Sequence, residues 1–298
     1  MPVARNNNVS VVILTRNSAS TIDQCLKSII QEHPGEIIAV DNMSTDGTLQ
    51  ILRRYGVKVV TDATYSLGEA RQVGVNSATR EYLMFVDSDI ELTKNCIRQL
   101  VNELEAKGWV AVQARTLSKE NISYWQNRGY SPDGALLGSR VGPQRSIATA
   151  ATVFRREMLL DYPFDPHFVD AAEDIDICLR LGGGGHVVGK STTTAVYHAY
   201  RREFLALFRQ QVRYGRGYSR LAYKYGSMKL GLQPIHYVTS YLMKAVITGK
   251  WNRIPYHASV LTAIIIGMIT FQPGKEWSAS SPYRRPNHFR MCAHKEMR

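Results

Sequence analysis

The sequence predicts an α/β domain with a mostly parallel central sheet and helices on both faces, followed by amphipathic C-terminal helices. Three observations support this fold class. Short β-rich runs alternate with helix-period segments in the first third, polar residues follow these runs, and the excess of basic residues is confined to the last third. Alternation of strands and helices implies parallel pairing, because each crossover helix returns the chain to the same edge of the sheet.

The first ninety residues contain four predicted strands and three predicted helices. The predicted strands are apolar runs at residues 9–14, 36–40, 57–60 and 82–86. The predicted helices have apolar residues at helical spacing and cover residues 20–31, 49–52 and 67–78. Polar or turn-forming residues follow every strand, and we expect them to face one crevice because ligands collect beyond the carboxyl ends of parallel strands.

The next hundred residues are less regular. Residues 109–114 predict a fifth strand, and residues 118–145 form a long Gly-, Ser- and Asn-rich connection typical of a substrate lid or acceptor surface. A helix is predicted over 168–181, and short strands over 186–188 and 193–197. The four glycines of 182–185 follow that helix and favour a C-terminal cap over a phosphate-binding loop.

The charge is divided unequally between two predicted regions. Residues 1–199 carry 20 basic and 22 acidic residues, whereas residues 200–298 carry 17 basic and 3 acidic ones. The net charge of +12 therefore separates into about −2 and +14. We predict a near-neutral α/β domain over 1–199 and a basic helical region over 200–298, whose partner is a membrane surface, a nucleic acid or a phosphorylated substrate.

Cysteine usage and the N-terminal sequence indicate a reducing compartment. The four cysteines have no CxxC spacing, and Cys25, Cys96 and Cys178 lie in apolar segments where a small buried thiol is expected. The first nine residues lack the apolar core of a signal peptide, so we expect no export.

The first acidic motif follows the second strand, at residues 41–48. Ser44 and Asp46 suit a turn and a helix N-cap, and we interpret them as structural. Asp41 differs because it ends a buried strand, where a carboxylate could accept N–H donors from the nucleotide base uracil or guanine.

The second acidic motif, Asp87-Ser88-Asp89, follows the fourth strand directly. Two carboxylates separated by one residue could hold a hard divalent cation that neutralises a diphosphate. A DxD pattern alone is common, but this one falls at a strand end in the same predicted crevice as Asp41. That position makes it a candidate metal site.

A third motif places Glu173, Asp174 and Asp176 near a predicted helix start. Such acids can simply complement the helix dipole. Three carboxylates within four residues also repel one another, which would raise the pKa of at least one and make it a better general base. His198 ends a predicted strand, where it could be structural or a ligand of the kind that Mn²⁺ accepts.

Taken together, six motifs resemble the inverting glycosyltransferases of family 2, which have the GT-A fold. The motifs occur in the order VVILTRN, VDNMSTDGT, LGEARQVGV, FVDSD, AAEDIDICLRL and AVYH. The resemblance covers roughly residues 9–215. Each motif is unspecific alone, and the order makes them specific together.

The resemblance implies a role for each matching residue. The residues implied to bind a nucleotide-sugar donor are Thr15, Arg16, Asp41, Arg71, Asp87 and Ser88. Those implied to hold a divalent cation, Mn²⁺ or Mg²⁺, are Asp89 and His198. Asp174 is implied to be the catalytic base. The accessory positions are Asp87, Glu173, Gln210 and Arg213.

The resemblance also bears on the substrates. Residues 210–214, QQVRY, resemble the QxxRW signature of processive members but end in Tyr, which favours transfer of a single sugar. A loose likeness to dolichyl-phosphate mannose synthases favours GDP-mannose, and so a mannosyltransferase, over a UDP-sugar donor. The preferred acceptor is a hydroxyl of a lipid or lipid-linked molecule. A polyprenyl-phosphate acceptor is the alternative, and such an anion needs no base.

The basic region suggests where the enzyme works. On a helix over 202–224, interrupted by Gly215 and Gly217, the basic residues that form one stripe are Arg209, Arg213, Arg216, Arg220 and Lys224. The uncharged run 258–271 reaches about 21 Å as a helix, short of a bilayer core of roughly 30 Å. The residues suited to a membrane interface are Trp251, Tyr256, Trp277, Tyr283, Arg284 and Arg285.

We therefore predict a peripheral or monotopic protein, not spanning, on the cytoplasmic face of an anionic membrane. The apolar run 258–271 could dip into the membrane or pack against protein. A nucleic-acid-binding α/β protein is the alternative from another class, and only the basic region supports it. The acidic crevice argues against it, because its acids would repel a polyanion unless metals intervened; these acids are Asp41, Asp87, Asp89 and Asp174. The oligomeric state is left open.

Overall fold

The structure is a computed structural model and describes residues 6–118, 140–198 and 203–273. The strands are β1 (Val9–Thr15), β2 (Glu36–Asp41), β3 (Lys58–Thr61), β4 (Tyr82–Asp87), β5 (Ile90–Leu92), β6 (Ala111–Ser118), β7 (Gly142–Gln144), β8 (Thr152–Arg155) and β9 (Val188–His198). The helices are α1 (Ile22–Ile30), α2 (Thr48–Arg54), α3 (Leu67–Ser77), α4 (Cys96–Lys107), α5 (Arg156–Asp161), α6 (Glu173–Gly183), α7 (Phe204–Tyr225), α8 (Met228–Ile247) and α9 (Ile254–Ile269).

The described strands form one sheet in the order β3-β2-β1-β4-β8-β6-β9-β5, with β7 paired to β9. The four strands predicted in the first third pair in parallel with one another, as expected. In the other half, β8 is antiparallel to both β4 and β6, and β5 is antiparallel to β9. The α/β fold class is confirmed, and the parallel half carries the strand ends that the sequence analysis singled out.

Alternate side chains of β1 pack into two different cores, one on each face of the sheet. Val11 and Ile13 join a core that includes Leu26 of α1, whereas Val12 joins a core that includes Ala70 of α3. Successive side chains of a strand point to opposite faces, so an uninterrupted apolar run is what a strand covered on both sides requires. This confirms the prediction of helices on both faces.

Several elements differ from the predicted ones. The predicted helix 168–181 begins later, at Glu173, because residues 165–169 bind α3: Gly68 N donates to Phe168 O over 3.0 Å. The two short strands predicted within 186–197 are a single strand, β9, whose pairing with β6 shifts register between Gln113 and Arg115. The strand β8 was missed because four residues carry little periodicity.

The long connection at 118–145 lies mostly outside the described residues. The three cysteines within the described residues are buried and free, as predicted. Burial raises the pKa of the Cys96 and Cys178 thiols to about 12. They are therefore inert core residues.

Residues 203–273, the described part of the C-terminal region, include three α-helices that pack on the α/β domain. The helix α7 is continuous through both predicted interruptions. A Cβ at Gly215 would lie 2.2 Å from Ile264 O, and one at Gly217 would lie 2.8 Å from Ala171 O. The glycines are therefore sites where α9 and the α/β domain approach the helix closely.

The apolar run 258–271 packs against protein along one side. Val260, Ala263 and Ile264 of α9 are buried, whereas Ile265 and Ile269 are exposed. None of the helices within the described ranges is long and apolar enough to cross a membrane. The predicted interface residues Trp277, Tyr283, Arg284 and Arg285 lie outside the described residues.

Candidate active site

The ends of β1 and β2 hold one carboxylate in a fixed orientation. Asp41 is buried and accepts hydrogen bonds from Thr15 Oγ1 at 2.8 Å, from Ser44 Oγ at 2.6 Å and from Ser44 N at 2.9 Å. A carboxylate has about four acceptor positions, so these bonds leave room for one further donor. The predicted donor-binding residues Thr15 and Asp41 are thus in direct contact.

A second carboxylate, which the sequence analysis did not select, lies beside this group. Asp62 follows β3, is buried, and accepts a hydrogen bond from Asn42 Nδ2 at 3.0 Å. The polar segment after β3 was noted as facing the crevice, but nothing in it distinguished this acid from a turn residue. The predicted residue Arg16 is exposed and lies over the ring of Tyr65, at 4.7 Å from its centroid.

The guanidinium of Arg71 joins two parts of the chain that are distant in sequence. Arg71 is buried on α3, and its Nη2 donates to Oδ1 of Asp87, at the end of β4, over 3.1 Å. Its Nε lies 3.7 Å from Oε1 of Glu173, at the start of α6, and its guanidinium packs over the ring of Phe85. Arg71 therefore brings the predicted metal-binding motif next to the predicted base.

Two nitrogens of the same guanidinium, Arg71 Nε and Nη1, are buried and have no hydrogen-bond partner among the described residues. Buried charged donors left without acceptors are costly, since each forfeits its interactions with water. A phosphate oxygen would satisfy them, as guanidinium binds phosphate strongly. Arg71 is therefore suited to an anionic ligand.

The start of α6 contains two coupled acids with raised pKa values. Burial raises the pKa of Asp174 to about 6, and the donation of Ile175 N–H to Asp174 Oδ1 at 2.8 Å opposes this only partly. Burial, reinforced by the charge of Asp174, raises the pKa of Glu173 to about 8, because the guanidinium at 3.7 Å is too far to offset it. Both carboxyl groups therefore keep their protons to a higher pH than ordinary acids do.

The third acid of this motif, Asp176, has a structural role. Asp176 is fully buried and accepts from Arg180 Nε at 2.9 Å, Lys224 Nζ at 2.5 Å and Tyr225 Oη at 2.8 Å. Its charge is thus compensated, and burial rather than crowding by Asp176 is the main reason for the raised pKa of Asp174. The predicted repulsion therefore acts between Asp174 and Glu173, and Asp176 does not contribute to it.

Lys224 also departs from the prediction. It was placed on an exposed basic stripe of α7, but it is buried and forms a second ion pair, with Asp165 Oδ2 at 2.8 Å. Arg209 and Arg213 of the same stripe are exposed. The stripe therefore ends where α7 enters the protein, and its last member anchors that helix to α6.

The two predicted metal ligands are adjacent. Asp89 Oδ1 and His198 Nε2 are 3.2 Å apart, because β5 and β9 pair Ile90 with His198. Among the residues that the structure describes, no three His, Cys, Asp or Glu side chains are grouped as a metal site. One carboxylate and one imidazole fit a divalent cation that takes its remaining ligands from substrate phosphates and water.

The remaining predicted positions have local partners. Ser88 Oγ donates to Ser18 Oγ at 2.9 Å, which fixes the turn between β4 and β5. Gln210 Nε2 donates to Tyr214 Oη at 3.1 Å on α7, and Arg213 is exposed. The structure therefore gives these two α7 residues no described contact with Asp174.

The α7 residue that does come near Asp174 is Tyr218, which the sequence analysis did not select as a site residue. Burial and, secondarily, the charge of Asp174 raise the pKa of the Tyr218 hydroxyl to about 12. Tyr218 also packs in the same cluster as Ile175. No sequence signal could identify it, because its position depends on how α7 docks on α6.

The sequence of the chain is similar to those of known glycosyltransferases. Residues 10–162, half of the chain, match the family described as Glycosyl transferase family 2. The poly(ribitol-phosphate) beta-N-acetylglucosaminyltransferase TarS of Staphylococcus aureus is 26% identical over 207 residues, which cover 65% of this chain and 36% of that protein. A 4,4'-diaponeurosporenoate glycosyltransferase of Staphylococcus aureus is 33% identical over 125 residues, covering 38% of this chain and 33% of that protein. The chain thus spans about a third of the length of these relatives.

Solved structures share the fold. Crystal structures of S. aureus TarS 1-349 include one in complex with UDP-GlcNAc, which has a TM-score of 0.52, is 17% identical and covers 86% of this chain and 90% of that one. Glucosyl-3-phosphoglycerate synthase from Mycobacterium tuberculosis has a TM-score of 0.53, is 21% identical and covers 72% of this chain and 78% of that one.

Proposed function

Because this chain belongs to glycosyl transferase family 2, we propose that it transfers one sugar from a nucleotide-sugar donor to an acceptor hydroxyl with inversion. One observation carries the proposal: Arg71 links Asp87, at the end of the strand that precedes Asp89, to Glu173, next to Asp174. The chemistry needs a stabilised leaving group and a base on opposite sides of one anomeric carbon. Because Arg71 contacts Asp87 and Glu173, the residues proposed to stabilise the leaving group and the proposed base belong to one site.

The donor is proposed to bind across the ends of β1, β2 and β4. Asp41 has an acceptor position left for a base N–H, and Arg71 has two buried donors left for phosphate oxygens. Sequence alone favours GDP-mannose. The UDP-GlcNAc complex of TarS, a relative by sequence and by fold, supports a UDP-sugar instead.

A divalent cation is proposed at Asp89 and His198. When bound there, Mn²⁺ or Mg²⁺ would neutralise the charge that develops on the leaving diphosphate. The carboxylate and imidazole supply two ligands, and the neighbouring carboxylate Asp87 is already paired with Arg71. The glucosyl-3-phosphoglycerate synthase, which shares the fold, has a structure in complex with Mn²⁺ and UDP, and this is consistent with a divalent cation here without bearing on which residues hold it.

Asp174 is proposed as the base. In the transfer, the acceptor oxygen bonds to the anomeric carbon, its proton passes to the Asp174 carboxylate, and the bond from that carbon to the diphosphate oxygen breaks. The nucleoside diphosphate leaves with the electron pair, and the configuration inverts. A pKa of about 6 suits the role, because the group is ionised at neutral pH yet a stronger base than an ordinary Asp.

The acceptor is proposed to be a hydroxyl of a lipid or lipid-linked molecule at an anionic membrane surface. The basic charge of residues 200–298 and the exposed Arg209 and Arg213 support this location. A phosphate acceptor is the alternative, and it would make Asp174 dispensable, since a phosphate oxygen is already an anion.

Thermal unfolding with nucleotides tests the donor site. We expect the Tm to rise with one of UDP and GDP when Mn²⁺ is present, because a ligand at 100 times its Kd stabilises by about 2.7 kcal/mol. Asp89→Asn should lose the metal-dependent part of the rise. The matched control is Asp46→Asn, since Asp46 bonds Thr48 and Ala19 and has no proposed contact with the donor or the cation. A protein whose Tm responds to neither nucleotide would refute the proposed donor site.

A further inference from the structure

The turn between α8 and α9 exposes large apolar side chains. Met243 is 58% exposed, Ile247 78% and Trp251 65%. Met243 and Ile247 lie four residues apart, on one face of α8. Soluble proteins rarely display such residues together without a partner.

The backbone of this turn is well ordered. Lys250 N donates to Ala245 O at 2.8 Å, and Gly249 N donates to Val246 O at 3.1 Å. Gly249 has φ of +65°, the left-handed conformation that ends a helix cheaply only for glycine. The apolar side chains are therefore held outward by a fixed turn rather than by a frayed helix end.

The charge around the turn has a single sign. Lys244 and Lys250 are exposed beside the apolar residues, and Arg253 follows them. Residues 204–273 contain no Asp or Glu. A partner for this surface must accept apolar side chains and carry negative charge.

We propose that Met243, Lys244, Ile247, Lys250 and Trp251, which we call the bundle tip, insert into the interface of an anionic lipid bilayer. Apolar and Trp side chains flanked by lysines are the composition that binds such interfaces. A second copy of the chain is disfavoured as the occupant, because a two-fold contact would bring the same lysines together. This inference names the surface behind the membrane location that the proposed function assumes.

The position of the tip relates the bilayer to the site. The helices α7 and α9 run in the same direction, since Leu207 packs with Tyr256 and Val260 whereas Arg216 bonds Thr270. The tip therefore lies at the end where α7 begins. Tyr218, beside Asp174, is 14 residues along α7 from Phe204, or about 21 Å at 1.5 Å per residue. A lipid-linked acceptor whose hydroxyl lies about that far from the bilayer surface could therefore reach Asp174.

Co-flotation of the full chain with vesicles tests the proposal. The vesicles are phosphatidylcholine alone or with phosphatidylglycerol, and the variants are Ile247→Ser/Trp251→Ser and Lys244→Glu/Lys250→Glu. We expect the wild type to float with the anionic vesicles. The affinity of each variant for these vesicles should be lower by about tenfold or more. Met228→Ser/Leu232→Ser is the matched control, because it removes two exposed apolar side chains (71% and 48%) at the opposite end of α8.

Three outcomes would overturn the proposal. These are a wild type that floats with neither kind of vesicle, tip variants that bind as well as the wild type, and a control variant that loses as much binding as the tip variants. Sedimentation without vesicles adds a fourth, since a dimer that the tip variants abolish would make a second copy the occupant. Donor hydrolysis in solution should be unchanged in all variants. If the wild type did not hydrolyse the donor at all, the proposed function would be contradicted, whereas the result on vesicle binding would still hold.

Discussion

Two carboxylates at the start of α6, two residues apart, lie in opposite environments. Asp176 is fully buried and is compensated by Arg180, Lys224 and Tyr225. Asp174 is partly exposed, bonds to the N–H of Ile175, and has a pKa raised by burial to about 6. A buried acid that is paired with cations is costly to leave without them, whereas an acid without an ion pair is available for proton transfer.

The difference teaches that an acid-rich motif can serve two purposes at once. The side chains of residues 174 and 176 leave the helix about 200° apart, so Asp176 bonds Lys224 and Tyr225 of α7, whereas Asp174 lies near Tyr218 of that helix. The C-terminal helices are therefore attached to the same helix that supplies the proposed base. The predictions below test whether the two acids separate into function and stability as their surroundings indicate.

The largest effect is expected from Asp174→Asn. Loss of a general base should lower kcat by about 10²–10⁴-fold while the Tm and nucleotide binding stay near those of the wild type. Steady-state transfer and thermal unfolding of the same preparation measure both. Full turnover in this variant, together with inactivity of Asp89→Ala, would favour the phosphate acceptor.

The opposite pattern is expected from Lys224→Met. Removing the lysine leaves Asp165 and Asp176 short of a buried cation, which should lower the free energy of unfolding by about 3–5 kcal/mol. Urea unfolding measures this, with the exposed Lys229→Met as the control. A change as small as that of the control would mean that the buried ion pairs do not hold α7 to α6.

The pH dependence of kcat/KM should report Asp174. A base must be ionised, so the rate should fall as pH drops through about 6, by tenfold for each further unit. An ordinary Asp would place the decline near its usual pKa, about two units lower. A rate that is flat between pH 7 and 5 would contradict the raised pKa.

A smaller effect is expected from Glu173→Gln. The pKa of Glu173 is raised from 4.5 to about 8, so the folded state binds more protons than the unfolded chain between these values. Stability should therefore fall as pH rises from about 5 to 8, by at most about 1.4 kcal/mol per unit. The variant should reduce this slope in unfolding measured at pH 5.5, 6.5 and 7.5. An unchanged slope would mean that Glu173 is ionised throughout.

Much of the site could be predicted from local sequence, because parallel strands end at one edge of the sheet. Thr15 and Asp41 end neighbouring strands and are in contact, and Asp89 and His198 are adjacent, as a cation bound by both would need. For these residues, the order of the predicted strands and the resemblance of the motifs to a known family were enough to predict that they lie close together.

The residues that escaped prediction depend on tertiary packing. Lys224 has the spacing of a surface stripe, and only the docking of α7 on α6 buries it against Asp165 and Asp176. Tyr218 reaches Asp174 for the same reason. The antiparallel strand β8 is too short to produce a periodic signal. Lys224 and Tyr218 are positioned by contacts between helices that are distant in the sequence, and such contacts cannot be recognised from one sequence alone.

The most direct test of the account is the anomer that forms first when the wild-type enzyme hydrolyses its donor. Proton NMR during the first minutes, before mutarotation, should reveal the β-anomer from an α-linked UDP-sugar, with its formation abolished in Asp174→Asn and kept in Lys229→Met. A first-formed α-anomer, or an equal rate in Asp174→Asn, would contradict a single inverting displacement that Asp174 assists as base.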